Sequence, residues 1–277
     1  MGTSRVALVT GGGRGLGAVM VAALLQDGHR VVISSTDEQS LKDTIAKYAR
    51  PGQAKYVVAE LSKPGEPERL ATAAEAAFGQ IDVLVNNAGL SVGSIRPDYL
   101  KRPFKFWEAT RAQMEYFFAV NTLQAMLLSA ALAPAMIKRG WGRIVTNTTS
   151  MDTMLRISLY GMSKAGLEAE TAIQSSDLVG TGVTANVLVP GGGAGSRMTD
   201  IANIPREELL PPEIMGPPMS FLASDAANDF NARRIIARRW DRTLPPRDAA
   251  QLASDVIAWK GYGTQAVNPA STNPPPQ

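Results

Sequence analysis

Short apolar runs of strand length alternate with longer stretches of helical period along most of the chain. Arg5–Thr10 (RVALVT), His29–Ser35 (HRVVISS), Ala54–Ala59 and Asp82–Asn86 (DVLVN) end in glycine or polar turns and read as buried strands. Between them lie the apolar helix Ala18–Gln26, closed by Gly28, the polar helix Asp37–Tyr48 and the helix Glu66–Phe78. A long helix, about Glu108–Arg139, contains Asn121 and Pro134. Arg143–Thr148 is the fifth strand, Tyr160–Leu178 the next helix and Val183–Val189 the sixth strand. Met219–Ala223 reads as a short helix, Arg234–Ala237 as a last strand and Asp248–Lys260 as helical. This alternation predicts an α/β protein: a three-layer, doubly wound parallel sheet of about seven strands with right-handed crossovers.

Irregular stretches break the rhythm. Leu90–Lys105 holds Pro97 and Pro103 and overlaps the basic-aromatic run Tyr99-Leu-Lys-Arg-Pro-Phe-Lys-Phe-Trp107, which could close over a substrate or form an interface or surface loop. Pro190-Gly-Gly-Gly-Ala-Gly195 follows the sixth strand, at the strand end where ligands sit in such sheets. Pro205–Pro218 is proline-rich and reads as a lid or cover. Residues 1–262 are expected to form one domain that includes the substrate site. Residues 263–277, ending Asn-Pro-Pro-Pro-Gln, have too little apolar content to fold alone and are expected to form a loose tail.

Composition excludes more than it names. With 45% hydrophobic and 19% charged residues the chain has the balance of a soluble globular protein. A net charge of +3 spread along the chain gives no footprint for nucleic acid. The cluster Arg233, Arg234, Arg238 and Arg239 reads as a solvated face or a subunit contact. The absence of cysteine removes disulfides, thiolate chemistry and cysteine metal sites. The single histidine, His29, cannot build a multi-histidine site and reads as a surface turn residue, so no metal is expected. No apolar run reaches membrane-span length and no signal peptide precedes the first strand, so a cytoplasmic protein without a membrane partner is expected.

Two stretches carry chemistry. Gly11-Gly-Gly-Arg-Gly-Leu-Gly17 joins the first strand to the first helix. Glycines there let the backbone approach a pyrophosphate while the helix N-terminus faces it, as in a Rossmann dinucleotide site. Tyr160-Gly-Met-Ser-Lys164 places a phenol and an ammonium one helical turn apart. A lysine so placed favours the phenolate and lowers the tyrosine pKa, which makes the phenol a usable acid or base for a hydroxyl or carbonyl.

Together with Asn86-Asn87-Ala88-Gly89 and Asn121, in that order, these motifs resemble the short-chain dehydrogenase/reductase family over roughly residues 4–240. Thr10-Gly11, Gly15 and Gly17 resemble its cofactor turn, with Leu16 inside it; Asn87, Ala88 and Gly89 resemble the motif on the adenosine side; Pro190-Gly191 resembles the turn beside the nicotinamide. The resemblance implies that Tyr160 gives or takes the substrate proton. Lys164 would bind the nicotinamide ribose and depress the tyrosine pKa, and Asn121 would hold a water linking Lys164 to solvent. It also implies a small carbonyl or alcohol substrate, and a homodimer or homotetramer joined through the helices at Glu108–Arg139 and Tyr160–Leu178.

Several positions depart from the family pattern. The catalytic serine is usually thirteen residues before the tyrosine, but counting along the fifth strand puts Thr149 in its place with Ser150 beside it, in a segment two residues shorter than usual. Either hydroxyl could donate to the substrate oxygen. Glu60, followed by Leu61, stands where an aspartate often lies near the adenine. Gly193 and Gly195 replace residues that hold the nicotinamide carboxamide, with Ser196 or Thr199 as replacements. The Gly89–Asn121 segment is about ten residues longer than usual. These departures leave open a cofactor-binding protein without catalysis, and the same site could also act on a C=N or C=C bond. For the cofactor, NADP(H) is favoured and NAD(H) possible. Ser35 and Thr36 at the end of the second strand admit a 2′-phosphate, and Arg14 suits it through paired donors. Asp37 reads as a helix cap rather than a ribose ligand.

Overall fold

In the computed structural model, which describes residues 3–263 apart from the side chains of residues 197 and 198, the alternation builds one twisted sheet. Its first half holds β1 (Val6–Thr10), α1 (Gly15–Gln26), β2 (Arg30–Ser35), α2 (Glu38–Tyr48), β3 (Ala54–Val58), α3 (Glu66–Phe78) and β4 (Val83–Asn86). The chain continues through α4 (Arg111–Phe118), α5 (Gln124–Arg139), β5 (Gly142–Thr146), α6 (Met151–Arg156), α7 (Tyr160–Asp177) and β6 (Val183–Val189). It closes with α8 (Arg197–Ile201), α9 (Gly216–Leu222), β7 (Arg233–Ile236), α10 (Pro246–Ala253) and β8 (Ser254–Val256). The strands lie in the order β3-β2-β1-β4-β5-β6-β7-β8. All pairs are parallel except β7 with β8. The expected tail lies outside the described residues, Gly263 apart.

Strand side chains alternate between two cores, which makes the layers. Ala7 and Val9 join Met20 and Leu24 of α1 and Met219 and Leu222 of α9 on one face. Val6 and Leu8 join Leu70 of α3 and Leu128 and Leu132 of α5 on the other. The strand order reverses between β1 and β4, so the C-terminal ends of these strands open a crevice there.

Where the fold differs from the expectation, packing explains it. Among the described residues the sheet has eight strands, one more than the expected seven or so, because Ser254–Val256 leaves α10 and pairs with β7; Asp248–Lys260 is therefore helical only in its first part. The long helix is interrupted by a π-helical turn at Ala119–Leu123, and it begins at Arg111 rather than Glu108, which ends a separate 3-10 segment, Phe106–Glu108. Arg111–Arg139 is nonetheless long and apolar enough to cross a membrane, contrary to the expectation. Half of that window is buried, and Leu128, Leu132 and Met136 pack into the core of the domain. The segment Pro205–Pro218 is only partly a cover: Met215 is fully buried against α1, so its second half belongs to the core. His29 is buried rather than exposed. Its Nδ1 accepts the Arg5 amide at 3.2 Å, and burial holds its pKa below the ordinary value.

Candidate active site

The first wall of the crevice is the glycine turn. Arg14 occupies the N-cap of α1 without capping it through its side chain, and no acidic residue stands in the first turn. The amides at this helix start therefore face an anion-binding space. A Cβ on Gly17 would lie 2.2 Å from the Gly11 carbonyl oxygen, so only glycine lets the turn fold this tightly. A Cβ at Gly15, by contrast, meets nothing nearer than Ser196 at 3.6 Å, which leaves room over the turn. Such a cradle fits a dinucleotide pyrophosphate.

Thr10 and Asn87 lock the turn to β4. The Thr10 hydroxyl accepts the amides of Asn87 and Ala88, both at 3.0 Å, and Asn87 Nδ2 donates to the Thr10 carbonyl at 2.9 Å. At the end of β2, Ser35 Oγ accepts the Asp37 amide, and Asp37 Oδ1 caps α2 by accepting the Ser40 amide. Asp37 is thus the cap the sequence suggested. Its other oxygen stands 3.6 Å from Arg14 Nη1, which brings Arg14 over the end of β2 beside Ser35 and Thr36. Glu60 and Leu61 follow β3 on the same side; Glu60 accepts from Ser62 and Leu61 is buried.

The second wall is α7. Tyr160 and Lys164 are both buried, on the helix face turned to the sheet. Lys164 Nζ donates to the Asn147 carbonyl at 2.8 Å and lies beside Gly89, where a Cβ would be 3.4 Å from it. The Thr149 side chain lies close enough to the Tyr160 phenol to pull its pKa down. Ser150 instead caps α6: its Oγ accepts the Thr153 amide and pairs with the Thr153 hydroxyl at 2.7 Å. The structure thus separates the two candidate hydroxyls. Asn121 sits in the π turn with its side chain fully engaged. Oδ1 accepts the Leu90 amide at 2.6 Å, and Nδ2 donates to the Leu90 carbonyl and to Ser163 Oγ.

The electrostatics correct one expectation. The phenol is not tuned toward neutrality: burial pushes Tyr160 up to about 12, the Thr149 side chain pulling the other way and Tyr99 adding to the rise. Burial also brings Lys164 down to about 8. Desolvation penalises both charged forms and wins because the ammonium points to the Asn147 carbonyl rather than to the phenol.

The shortened segment before Tyr160 explains the local backbone. Between α6 and α7 the chain reverses at Leu159, φ 56° and ψ −58°, with the Tyr160 amide donating back to Ser158. This is a γ-turn of the rare positive-φ kind, a strained conformation for leucine. Leu159 is fully buried with Tyr160, Tyr99 and Phe104, which holds the turn in place. The long 90–107 segment therefore divides. Tyr99 and Phe104 turn inward beside Tyr160, while Leu100, Phe106 and Trp107 stay exposed. Gly93 of this segment faces Ile201 of α8, where a Cβ would lie 2.9 Å from the isoleucine side chain.

Across the crevice, Pro190 and Gly191 follow β6, and the Gly191 carbonyl accepts from Arg238. Gly193 and Gly195 exchange backbone hydrogen bonds with Leu210. Of the two candidate replacements in this loop, Thr199 is buried and spends its hydroxyl on the Ala194 and Ser196 carbonyls, whereas Ser196 lies over Gly15. The arginine cluster is a solvated face only in part: Arg238 and Arg239 are exposed, while Arg233 is half-buried and Arg234 buried. Arg234 is buried against Glu168, Arg233 holds Ser254 and Arg239 pairs with Asp255. The sequence did not single out Glu168; its only signal is its place one turn beyond Lys164.

Comparison with known proteins places this geometry. The profile of the short chain dehydrogenases matches residues 5–205. The ketoacyl reductase HetN of Nostoc sp. is 34% identical over 193 residues, 68% of this chain and 63% of that one, so this chain spans somewhat under two thirds of that relative. A rhamnolipids biosynthesis 3-oxoacyl-[acyl-carrier-protein] reductase of Pseudomonas aeruginosa is 30% identical over 274 residues, 96% of this chain and 94% of that one. A metagenomic short-chain oxidoreductase solved in complex with NADP superposes with a TM-score of 0.67 at 27% identity, covering 81% of this chain and 92% of that chain.

Proposed function

Because the chain belongs to the short-chain dehydrogenase family and is with it a nicotinamide-dependent oxidoreductase, we propose that it uses NADPH to reduce a ketone carried on an apolar chain. Tyr160 is the proton donor. The observation that carries this reading is the meeting of Tyr160, Thr149 and Lys164 at one end of the sheet, across from an uncapped helix N-terminus.

NADPH, when bound, supplies the hydride to the carbonyl carbon. Tyr160 Oη gives its proton to the carbonyl oxygen, and the Thr149 hydroxyl donates to the same oxygen. A phenol pushed up to about 12 stays protonated at neutral pH, which suits the reductive direction. Lys164 holds the nicotinamide ribose hydroxyls beside Gly89, and its charge steadies the phenolate left behind. Asn121 keeps the Gly89–Leu90 turn in place, its side chain being spent there rather than on the water relay expected of it. Gly11, Gly15, Leu16 and Gly17 bind the pyrophosphate. Glu60, Leu61, Asn87 and Ala88 bind the adenosine side, and Pro190 and Gly191 the nicotinamide side. Ser150 serves α6 rather than the reaction.

The substrate class rests on two supports. Val92, Tyr99, Phe104 and Leu159 make an apolar wall beside Tyr160. Relatives that include HetN and the Pseudomonas enzyme are ketoacyl and 3-oxoacyl reductases. The test is a turnover panel of 3-oxoacyl thioesters, simple ketones and secondary alcohols with both nicotinamide cofactors. Turnover of ketones with NADPH is expected. Tight NADPH binding with no turnover anywhere in the panel would favour a cofactor-binding protein instead.

Arg14, Ser35 and Thr36 favour the 2′-phosphate of NADPH. Arg14→Ala is expected to weaken NADPH binding by roughly tenfold, the worth of one charge-assisted contact, and to leave NADH binding unchanged; paired dissociation constants check it. Exposed Phe118, Leu123 and Met126 on the α4–α5 run, with Met162 and Ile173 on α7, form the face for a homodimer or homotetramer. A sedimenting mass at two or four times 29.5 kDa is expected, and a monomer at micromolar concentration would remove this assembly.

A further inference from the structure

A buried ion pair that no part of the proposed chemistry uses lies directly behind Thr149. Arg234 on β7 is 3% exposed and Glu168 on α7 is 0% exposed. Arg234 Nη1 donates to Glu168 Oε2 and to the Thr148 hydroxyl, and its other nitrogen, Nη2, donates to the Thr149 carbonyl. Thr148 Oγ1 in turn donates to the same Glu168 oxygen at 2.6 Å. The second Glu168 oxygen accepts the Ala258 amide at 3.2 Å, just after β8. Four parts of the chain thus meet at two charges: the loop after β5, α7, β7 and the turn that follows β8.

The pair is expensive to bury. Two charges removed from water gain back their desolvation only when geometry is good and the remaining hydrogen-bonding sites are filled, and an apolar pair of similar volume is often no less stable. What apolar side chains could not do is grip the Thr149 peptide. That peptide lies beyond the end of β5, outside the sheet ladder, in the segment that is shorter than usual in the family. Glu168 stands one turn after Lys164 on the helix that carries Tyr160, so the guanidinium ties the Thr149 backbone to the same rigid element as the phenol.

We propose that Arg234 is a positioning residue: its forked guanidinium, oriented by Glu168, sets the distance between the Thr149 hydroxyl and the Tyr160 phenol. The proposal rests on the reading of Thr149 as the hydroxyl that serves the substrate oxygen. It also makes that distance depend on β7 and on the Ala258 turn at the C-terminal edge.

The distinguishing variant is Arg234→Lys. A lysine can neutralise Glu168, but as a point charge it cannot hold Glu168 and the Thr149 carbonyl in one plane. NADPH dissociation constants are expected to stay near wild type and the melting temperature to fall by only a few degrees, while kcat with NADPH and a ketone turned over by the wild type falls about tenfold to a hundredfold, the scale of an ångström of misplacement. The kcat–pH profile should also move, because the Thr149 side chain acts on the phenol. Should Arg234→Lys fail to fold, the double variant Glu168→Leu with Arg234→Met removes both charges together and is expected to show the same loss of kcat with NADPH binding kept. Crystal structures of wild type and variant give a readout independent of turnover: the Thr149–Tyr160 contact should lengthen. A wild-type kcat and pH profile in Arg234→Lys, or an unmoved Thr149, would overturn the proposal. A wild type with no turnover at all would overturn the reductase reading instead, and the crystal structures would still decide the positioning.

Discussion

Tyr160→Phe is expected to cut turnover by about a thousandfold or more while NADPH binds within roughly twofold of wild type. The loss is the contribution of a placed proton donor, which spans about 10²–10⁴. It should lie at the upper end because the alternatives are poor. Thr149 offers a hydroxyl of much lower acidity, and Lys164 is turned to the Asn147 carbonyl. Binding should survive because the phenol is one oxygen in a wall otherwise made of apolar side chains, so phenylalanine keeps the volume. The fold should survive for the same reason; losing the hydroxyl removes only its interaction with the Thr149 side chain. The measurement is kcat by NADPH consumption beside the NADPH dissociation constant. A variant with wild-type kcat would take the proton from another group and end the assignment.

Much of this was legible in the chain because it depends on local chemistry. The strand and helix alternation, the glycine turn, the capping aspartate Asp37 and the Tyr160–Lys164 spacing are set within a few residues of one another, and each stands where expected. What escaped the sequence depends on tertiary direction. Counting cannot tell which of two adjacent hydroxyls, Thr149 or Ser150, faces the phenol; the formation of α6 decides it by taking Ser150 as its cap. Nor does the run Tyr99–Trp107 announce that Tyr99 and Phe104 turn inward while Phe106 and Trp107 face out. Arg234 reads as one of a surface cluster because its partner Glu168 is sixty-six residues away in the chain. The pKa of Tyr160 is hidden from the sequence for a related reason. Spacing sets which groups are neighbours, but burial, which the spacing does not report, sets the sign of the shift.

Burial makes Lys164 the residue where function and stability oppose each other most. Its pKa falls from the ordinary 10.5 to about 8 because the buried ammonium has lost its water. Below about 8 the folded protein carries a charge it holds at a cost, of order 3 kcal/mol at about 1.4 kcal/mol per unit. Between about 8 and 10.5 the unfolded chain keeps the proton and the folded chain does not, so stability contributed at this position rises with pH through that window. Lys164→Met removes the cost and leaves the Asn147 carbonyl without its donor, a loss of about 1 kcal/mol. The variant should therefore be more stable than wild type near neutral pH by about 2 kcal/mol, raising the melting temperature by roughly 5 °C. By about pH 10 most of that advantage should have gone, because the wild-type amine is then neutral in the fold as well. Turnover should move the other way. Without a positive charge to steady the phenolate and hold the ribose, kcat should fall by about 10²–10³. In the wild type the reductive rate should likewise decline as pH rises through about 8 and the ammonium is lost. Melting curves of wild type and variant at the two pH values, beside kcat for each, test both halves. A variant that melts lower than wild type with no dependence on pH would mean the ammonium is held without cost, and a kcat within threefold of wild type would remove Lys164 from the reaction.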